Sequence, residues 1–222
     1  MAEKYGEVPK RFTRKWWEYF WDYYKVHTIV ILLILVSVIY TVHHFITAPE
    51  YEFNIAYSAE SNIPQGEEEL FRQKLSQFVT DSDGDGKDGV AIIQNSFISG
   101  MEDAQMERMM ITRMQLEMTD EDTIVYIFSE DKLEYMIDSP EMEGAFLPVN
   151  QWLSIDVDDE KLYMCNGNAC AVRLNGSKML ENYNINSDNL YIGVRNHSEE
   201  LSDEMKEKIA DAKRIANAIV EY

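Results

Sequence analysis

The chain has 222 residues, 45% of them hydrophobic, and carries 40 Asp and Glu against 20 Lys and Arg for a formal net charge of -20. That apolar content is too high for a disordered polyanion. The negative charge argues against nucleic acid as a partner and against the bulk of the chain lying on an anionic membrane surface.

The basic residues come early. Lys4, Lys10, Arg11, Arg14, Lys15 and Lys25 flank or lie within an aromatic stretch, WWEYFWDYYK, at residues 16–25. Residues 26–48, VHTIVILLILVSVIYTVHHFITA, then contain no Asp, Glu, Lys or Arg. A helix of that length runs roughly 35 Å, enough to cross a hydrocarbon core of about 30 Å. A cleaved signal peptide would have a shorter apolar run, about 7–15 residues, and a small-residue cleavage site. Here the run ends in HHFITAPEY without an A-x-A pattern, so a retained anchor is expected. Excess Lys and Arg stays cytoplasmic, and Glu50 and Glu52 follow the span. The expected topology is a single-pass cell-membrane protein: cytoplasmic tail 1–25 with an aromatic belt, span 26–48, and an extracytoplasmic domain 50–222. Amphipathic rings favour the headgroup zone, and His43 and His44 are placed at the outer interface. The outer part holds 14 basic and 36 acidic side chains, a net charge of −22.

Beyond the span, strand and helix patterns alternate. In EFNIAYSA, Phe53, Ile55 and Tyr57 alternate with other residues, predicting a strand. EEELFRQKLSQFV repeats Phe71, Leu75 and Phe78 at helical spacing, with acids where the helix dipole favours them. VAIIQNSF predicts a second strand, and a helix is expected over 102–118. TIVYIFS, an apolar run bounded by acids, suits a strand buried on both faces. DKLEYMID predicts a short helix that ends before Ser139-Pro140. KLYMC, ACAVRL and LYIGVRN are further strands. Ser202 opens a last amphipathic helix with a stripe of Met205, Ile209, Ala212, Ile215 or Ala216, and Ile219. Such alternation predicts parallel pairing through right-handed crossovers, hence a three-layer α/β domain with a mostly parallel sheet.

The order of these segments resembles the first lobe of extracellular solute-binding proteins of ABC importers. The resemblance is carried by EFNIAYSAE, the DGDGK turn into VAIIQ, MERMMITRMQLEM, and TIVYIFSEDKLEYMIDSPEMEGAFLPVNQWL. Within the last, Gly144-Ala145-Phe146-Leu147-Pro148-Val149 is similar to the family's glycine–hydrophobic–proline phrase, and KLYMC…ACAVRLNGSKML to the segment that returns to the lobe. A second lobe adds well over ~100 residues, so the resemblance implies a single lobe. It also implies binding of a small ligand or a protein partner outside the cell. In an open parallel sheet, ligands sit beyond the carboxyl ends of the strands. That rule selects the positions of Ser58, Ser61, Asn95, Phe97, Ser129 and Asp131 as candidate ligand-binding residues. The alternative is an assembly subunit of a membrane complex, in contact with partners through the aromatic belt and the Met-rich helix.

Other patterns bear on chemistry. In TDSDGDGKDGV, Asp81, Asp83 and Asp85 match positions 1, 3 and 5 of a calcium loop, Gly86 the turn position, and Lys87 a carbonyl ligand. The twelfth position is Ile92 instead of a bidentate Glu, so a Ca2+ site needs a remote acid; the other reading is an acidic turn that caps its own amides. Cys165 and Cys170 bracket NGNA, whose Asn-Gly favours a tight hairpin turn. A disulfide is expected there, in preference to free thiols, in an oxidising location. Met106, Met110, Met114 and Met118 recur at i, i+4 and suggest an adaptable core face. Catalysis is not expected. His197 alone could serve a Ser–His–Asp relay in the outer part, and no G-x-S-x-G, H-E-x-x-H or phosphate-cradling glycine loop occurs.

Overall fold

The computed structural model describes residues 9–47, 51–80, 89–95, 104–138, 144–197 and 201–221. The chain divides into two compact units, Met1–Pro49 and Glu50–Tyr222.

Among its described residues, the first unit forms one helix, α1 (Arg14–Thr47), of 34 residues. The aromatic stretch and the apolar stretch are continuous within it. No proline or glycine interrupts residues 14–47, so nothing removes an amide donor or loosens the backbone. Thr13 caps its start. The Thr13 carbonyl accepts from the amides of Trp16 at 3.0 Å and Trp17 at 3.1 Å, and its Oγ1 accepts from Trp16 at 3.3 Å. Inside the apolar part, the Thr41 hydroxyl donates to the Ser37 carbonyl at 2.8 Å, so it needs no outside partner. Over Arg14–His44 the helix is long and apolar enough to cross a membrane, and none of its most apolar window is buried within the protein.

The second unit is an α/β domain. In chain order it contains β1 (Phe53–Ser58), α2 (Glu67–Ser76), β2 (Val90–Gln94), α3 (Ala104–Thr119), β3 (Thr123–Ser129), α4 (Glu130–Ile137), β4 (Leu162–Cys165), β5 (Asn168–Arg173), α5 (Lys178–Asn182), β6 (Leu190–Val194) and α6 (Asp203–Val220). The strands form one six-stranded sheet in the order β2-β1-β3-β6-β5-β4. β1 pairs in parallel with both β2 and β3. The pairs β3–β6, β5–β6 and β4–β5 are antiparallel.

The sheet is therefore mixed, and the mostly parallel arrangement expected from the alternation holds only for β2-β1-β3. The reason lies in the connections. β4 and β5 are joined by Asn166 and Gly167 with φ of 48° and 86°, a tight turn that can only make a hairpin. Between β5 and β6 stands α5 with five residues, and the chain returns from the end of the sheet at which β5 finished.

Helices cover both faces, giving three layers. On one face Phe53, Ile55 and Tyr57 of β1 and Ile192 and Val194 of β6 pack with Phe71 and Leu75 of α2, Leu180 of α5, and Ile209, Ala212, Ile215 and Ile219 of α6. On the other, Tyr126 and Phe128 of β3 and Tyr191 of β6 pack with Met114 and Met118 of α3 and Leu133 and Met136 of α4. All seven positions of β3 are buried, as its uninterrupted apolar run requires.

The methionine face of α3 divides along its length: Met114 and Met118 are in the core, while Met109 is exposed. Met101 and the side chains of Met106 and Met110 lie outside the described residues. α6 begins at Ser202, whose hydroxyl accepts from the Met205 amide at 3.1 Å. Its Asn217 ties down the loop after α4, donating to the Trp152 carbonyl and accepting from the Ser154 amide, each at 2.7 Å.

Candidate functional site

β1 and β3 lie side by side and parallel, but the chain leaves them in opposite directions. After β1 it runs through α2 on one face towards β2. After β3 it turns directly into α4 on the other face. Diverging connections of this kind leave a crevice beyond the carboxyl ends of the two strands. A cavity of about 790 Å³ occupies it. Its walls are residues 59–61 after β1, Ser129 at the end of β3, Glu130, Asp131 and Glu134 in α4, Asn186, Asp188 and Asn189 ahead of β6, and Leu190 at its start.

Of the six candidate ligand-binding residues, Ser61, Ser129 and Asp131 line this cavity. Ser58 and Asn95 do not; each is 1% exposed and engaged internally. The Asn95 amide nitrogen donates to Ser58 Oγ at 3.4 Å and to the Glu117 carboxylate. Burial pushes the Glu117 carboxyl above its usual range, and the Asn95 bond and the Arg113 guanidinium at 3.2 Å offset this only in part. Phe97 lies outside the described residues, as do Asp81, Asp83, Asp85 and Lys87. Among the described residues, no group of three or more His, Cys, Asp or Glu side chains is arranged to hold a metal ion.

The cavity's chemistry follows from its polar groups. Ser129 caps α4 by position, yet its hydroxyl donates to Asp131 Oδ1 at 2.5 Å instead of accepting from a helix amide. Lys132 Nζ lies 2.9 Å from Asp131 Oδ2. Partial burial opposes ionisation of Asp131, but the Ser129 and Lys132 hydrogen bonds and the lysine charge outweigh it and hold the carboxyl below its usual range. Beneath Ser61, burial pushes the Tyr57 phenol up to about 12 against the Ser61 hydrogen bond, so Tyr57 remains neutral. Asn189 adopts φ of 56° and turns the chain into β6; its carbonyl accepts from the Glu130 amide at 3.1 Å and its side chain from Arg173 Nη2 at 2.8 Å.

Glu60, Glu130, Asp131, Glu134 and Asp188 all line the cavity, and no Lys, Arg or His does so among the described residues. An anionic group entering here meets like charge, whereas uncharged polar or cationic groups do not. His197 sits elsewhere, 3.4 Å from the Glu121 carbonyl.

Sequence reasoning missed Glu60, Glu134, Asn186, Asp188, Asn189 and Leu190. The signal was present in INSDNL, a cluster of turn-forming residues ahead of a strand. It points to this cavity only once β6 is known to run against β3, which brings the start of β6 beside the end of β3.

Cys165 and Cys170 form a disulfide across the β4–β5 hairpin, with Cα atoms 5.7 Å apart. They line a second cavity of about 350 Å³ together with Phe146, Pro148 and Asn196. Closing so short a loop restricts the unfolded chain by about 2 kcal/mol on the chain-entropy model. Reduction should therefore lower the unfolding free energy by about that amount, read as a drop in the urea midpoint on adding a phosphine reductant. A midpoint that does not move would show the bridge contributes nothing to stability.

No family model, no curated protein and no solved structure matches the chain.

Proposed function

We propose that this chain is a single-pass, membrane-anchored binding protein, with its N-terminus in the cytoplasm and an extracytoplasmic domain that resembles one lobe of a solute-binding protein. The observation that carries the reading is the cavity of about 790 Å³ at the divergence of β1 and β3, where an open α/β sheet offers a ligand its best approach. The apolar length of α1 supports the anchor, and the Lys and Arg ahead of it support the orientation. The acidic walls favour an uncharged polar or cationic solute over an anion.

The test is a thermal-shift screen of the full chain in detergent against sugars, amines, short peptides and metal cations. A genuine ligand should raise the melting temperature in proportion to its occupancy. Its affinity should fall tenfold or more when Ser61→Trp fills the cavity, and also when Glu134→Lys reverses charge in its wall. Glu134 is exposed, so the second change leaves the core intact. A shift that survives both substitutions would place binding elsewhere, and a screen with no shifts would count against a binding role.

A further inference from the structure

α1 is longer than a bilayer needs, and its excess has a defined pattern. Its 34 residues run about 51 Å at about 1.5 Å per residue, against a hydrocarbon core of about 30 Å. Residues 26–47 account for the core. Residues 14–25 are left over, a stem of about 18 Å in the same unbroken helix. Headgroups on one side provide only about 5–8 Å of depth.

The stem is two-sided. Lys15, Glu18, Asp22 and Lys25 recur at intervals of three or four, so they form one strip, and Arg14 lies beside it. Trp16, Phe20 and Tyr24, four apart, form the opposite side. Their rings stack in sequence, Trp16 on Phe20 at 5.4 Å and Phe20 on Tyr24 at 5.5 Å. Trp17 and Trp21 lie along one edge of this row and are each more than half exposed. A broad aromatic side outside the hydrocarbon core needs cover.

The charge identifies what covers it. Lys10, Arg11, Arg14, Lys15 and Lys25 stand against Glu18 and Asp22 in residues 10–25, a net charge of +3 in a chain of -20. The first turn of α1 contains Arg14 and Lys15 and no acid, the reverse of what a helix N-terminus favours by itself. A second copy packed on the aromatic side would leave the basic cluster at the start of the helix, Lys10, Arg11, Arg14 and Lys15, without counter-charge, whereas an anionic leaflet supplies it.

Given that α1 crosses a bilayer, we propose that residues 10–25 are a binding surface for anionic phospholipid headgroups. The helix leans so that its aromatic side rests among the headgroups of one leaflet, with Lys10 and Arg11 ahead of the helix and the long side chains of Arg14 and Lys15 reaching round to the phosphates. A lean of about 40°, the upper end of the range seen for spanning helices, shortens its depth to about 39 Å, close to the core plus one headgroup layer. The aromatic side sets its direction. Attraction of this kind fades within a Debye length and is screened by salt.

The test reconstitutes the full chain in nanodiscs in which either phosphatidylglycerol or phosphatidylcholine, at equal mole fraction, carries brominated acyl chains that quench tryptophan. Trp16, Trp17 and Trp21 report on the stem; Trp152 is 3% exposed in the domain core and emits equally in every arm. Brominated phosphatidylglycerol should quench about twofold more strongly than brominated phosphatidylcholine at low salt. High salt should abolish the difference, and so should the combined change K10Q/R11Q/R14Q/K15Q. Equal quenching by the two lipids would overturn the proposal and leave an indiscriminate aromatic belt. Weak quenching by both, with emission that depends on protein concentration, would overturn it in favour of a second copy. Flotation with purely neutral vesicles checks the spanning reading separately: a chain that fails to float refutes the span, and the headgroup proposal with it.

Discussion

Phe128→Ala should lower the unfolding free energy of the α/β domain by about 3–5 kcal/mol. Phe128 is fully buried on β3, between the sheet and α4. Its ring meets Tyr126 at 5.5 Å nearly face to face and Phe146 at 5.5 Å edge-on. Phe146 in turn rests on Gly193 of β6, where an added Cβ would come within 3.0 Å of its ring. Three aromatic rings thus interlock over a glycine, and backbone holds that arrangement from below. Removing the central ring leaves a void that β3, paired on both sides, cannot close, so the transfer loss and the cavity loss add. Phe128→Leu keeps most of the volume and should cost less than about 1.5 kcal/mol. Urea titration followed by far-UV circular dichroism measures both, and an alanine variant within roughly 1 kcal/mol of the parent would show that the face is far looser than described. A domain of this kind has about 5–15 kcal/mol in all, so the alanine variant should be visibly short of folded protein at physiological temperature. Phe128 also precedes Ser129, so its loss should loosen the cavity wall and weaken any ligand found there.

Asp211→Ala should cost about 2–4 kcal/mol, although the side chain is a carboxylate on a surface helix by sequence pattern. In the fold Asp211 is 1% exposed. Its Oδ2 accepts from the Thr80 amide at 2.5 Å, and its Oδ1 pairs with Arg214, which also donates to Thr80 Oγ1 at 2.8 Å. The group therefore anchors the chain after α2 onto α6, across 131 residues of sequence. Alanine leaves the Thr80 amide without its acceptor; Arg214, half exposed, regains water, which limits the loss. Asp211→Asn retains an acceptor for Thr80 and gives up only the charge, so it should cost about half as much. The midpoint of a urea titration, at unchanged slope, reads the difference. Equal stability of the alanine and asparagine variants would mean that the amide contact is worth little and the charge pair carries the effect.

What the sequence determined by itself is whatever depends on near neighbours along the chain. The apolarity of residues 26–47 in α1, the burial of every residue of TIVYIFS, the capped start of α6 at Ser202 and the hairpin closed by Cys165 and Cys170 all follow from spacing over a few residues. Helix and strand periods, caps and tight turns are local physics, so they can be read without knowing the fold. The tertiary structure alone decided which strands became neighbours and in which direction. A period of two states that a strand has two faces but does not name its partner, so β6 against β3 was not legible, nor was the arrival of Asn186, Asp188 and Asn189 opposite Ser129 and Asp131. The same cause separates Ser61, in the cavity wall, from Ser58 and Asn95, which are bonded inside it, and makes Asp211 a buried anchor: each outcome is set by contacts between segments far apart in the chain, whose energies no local pattern records.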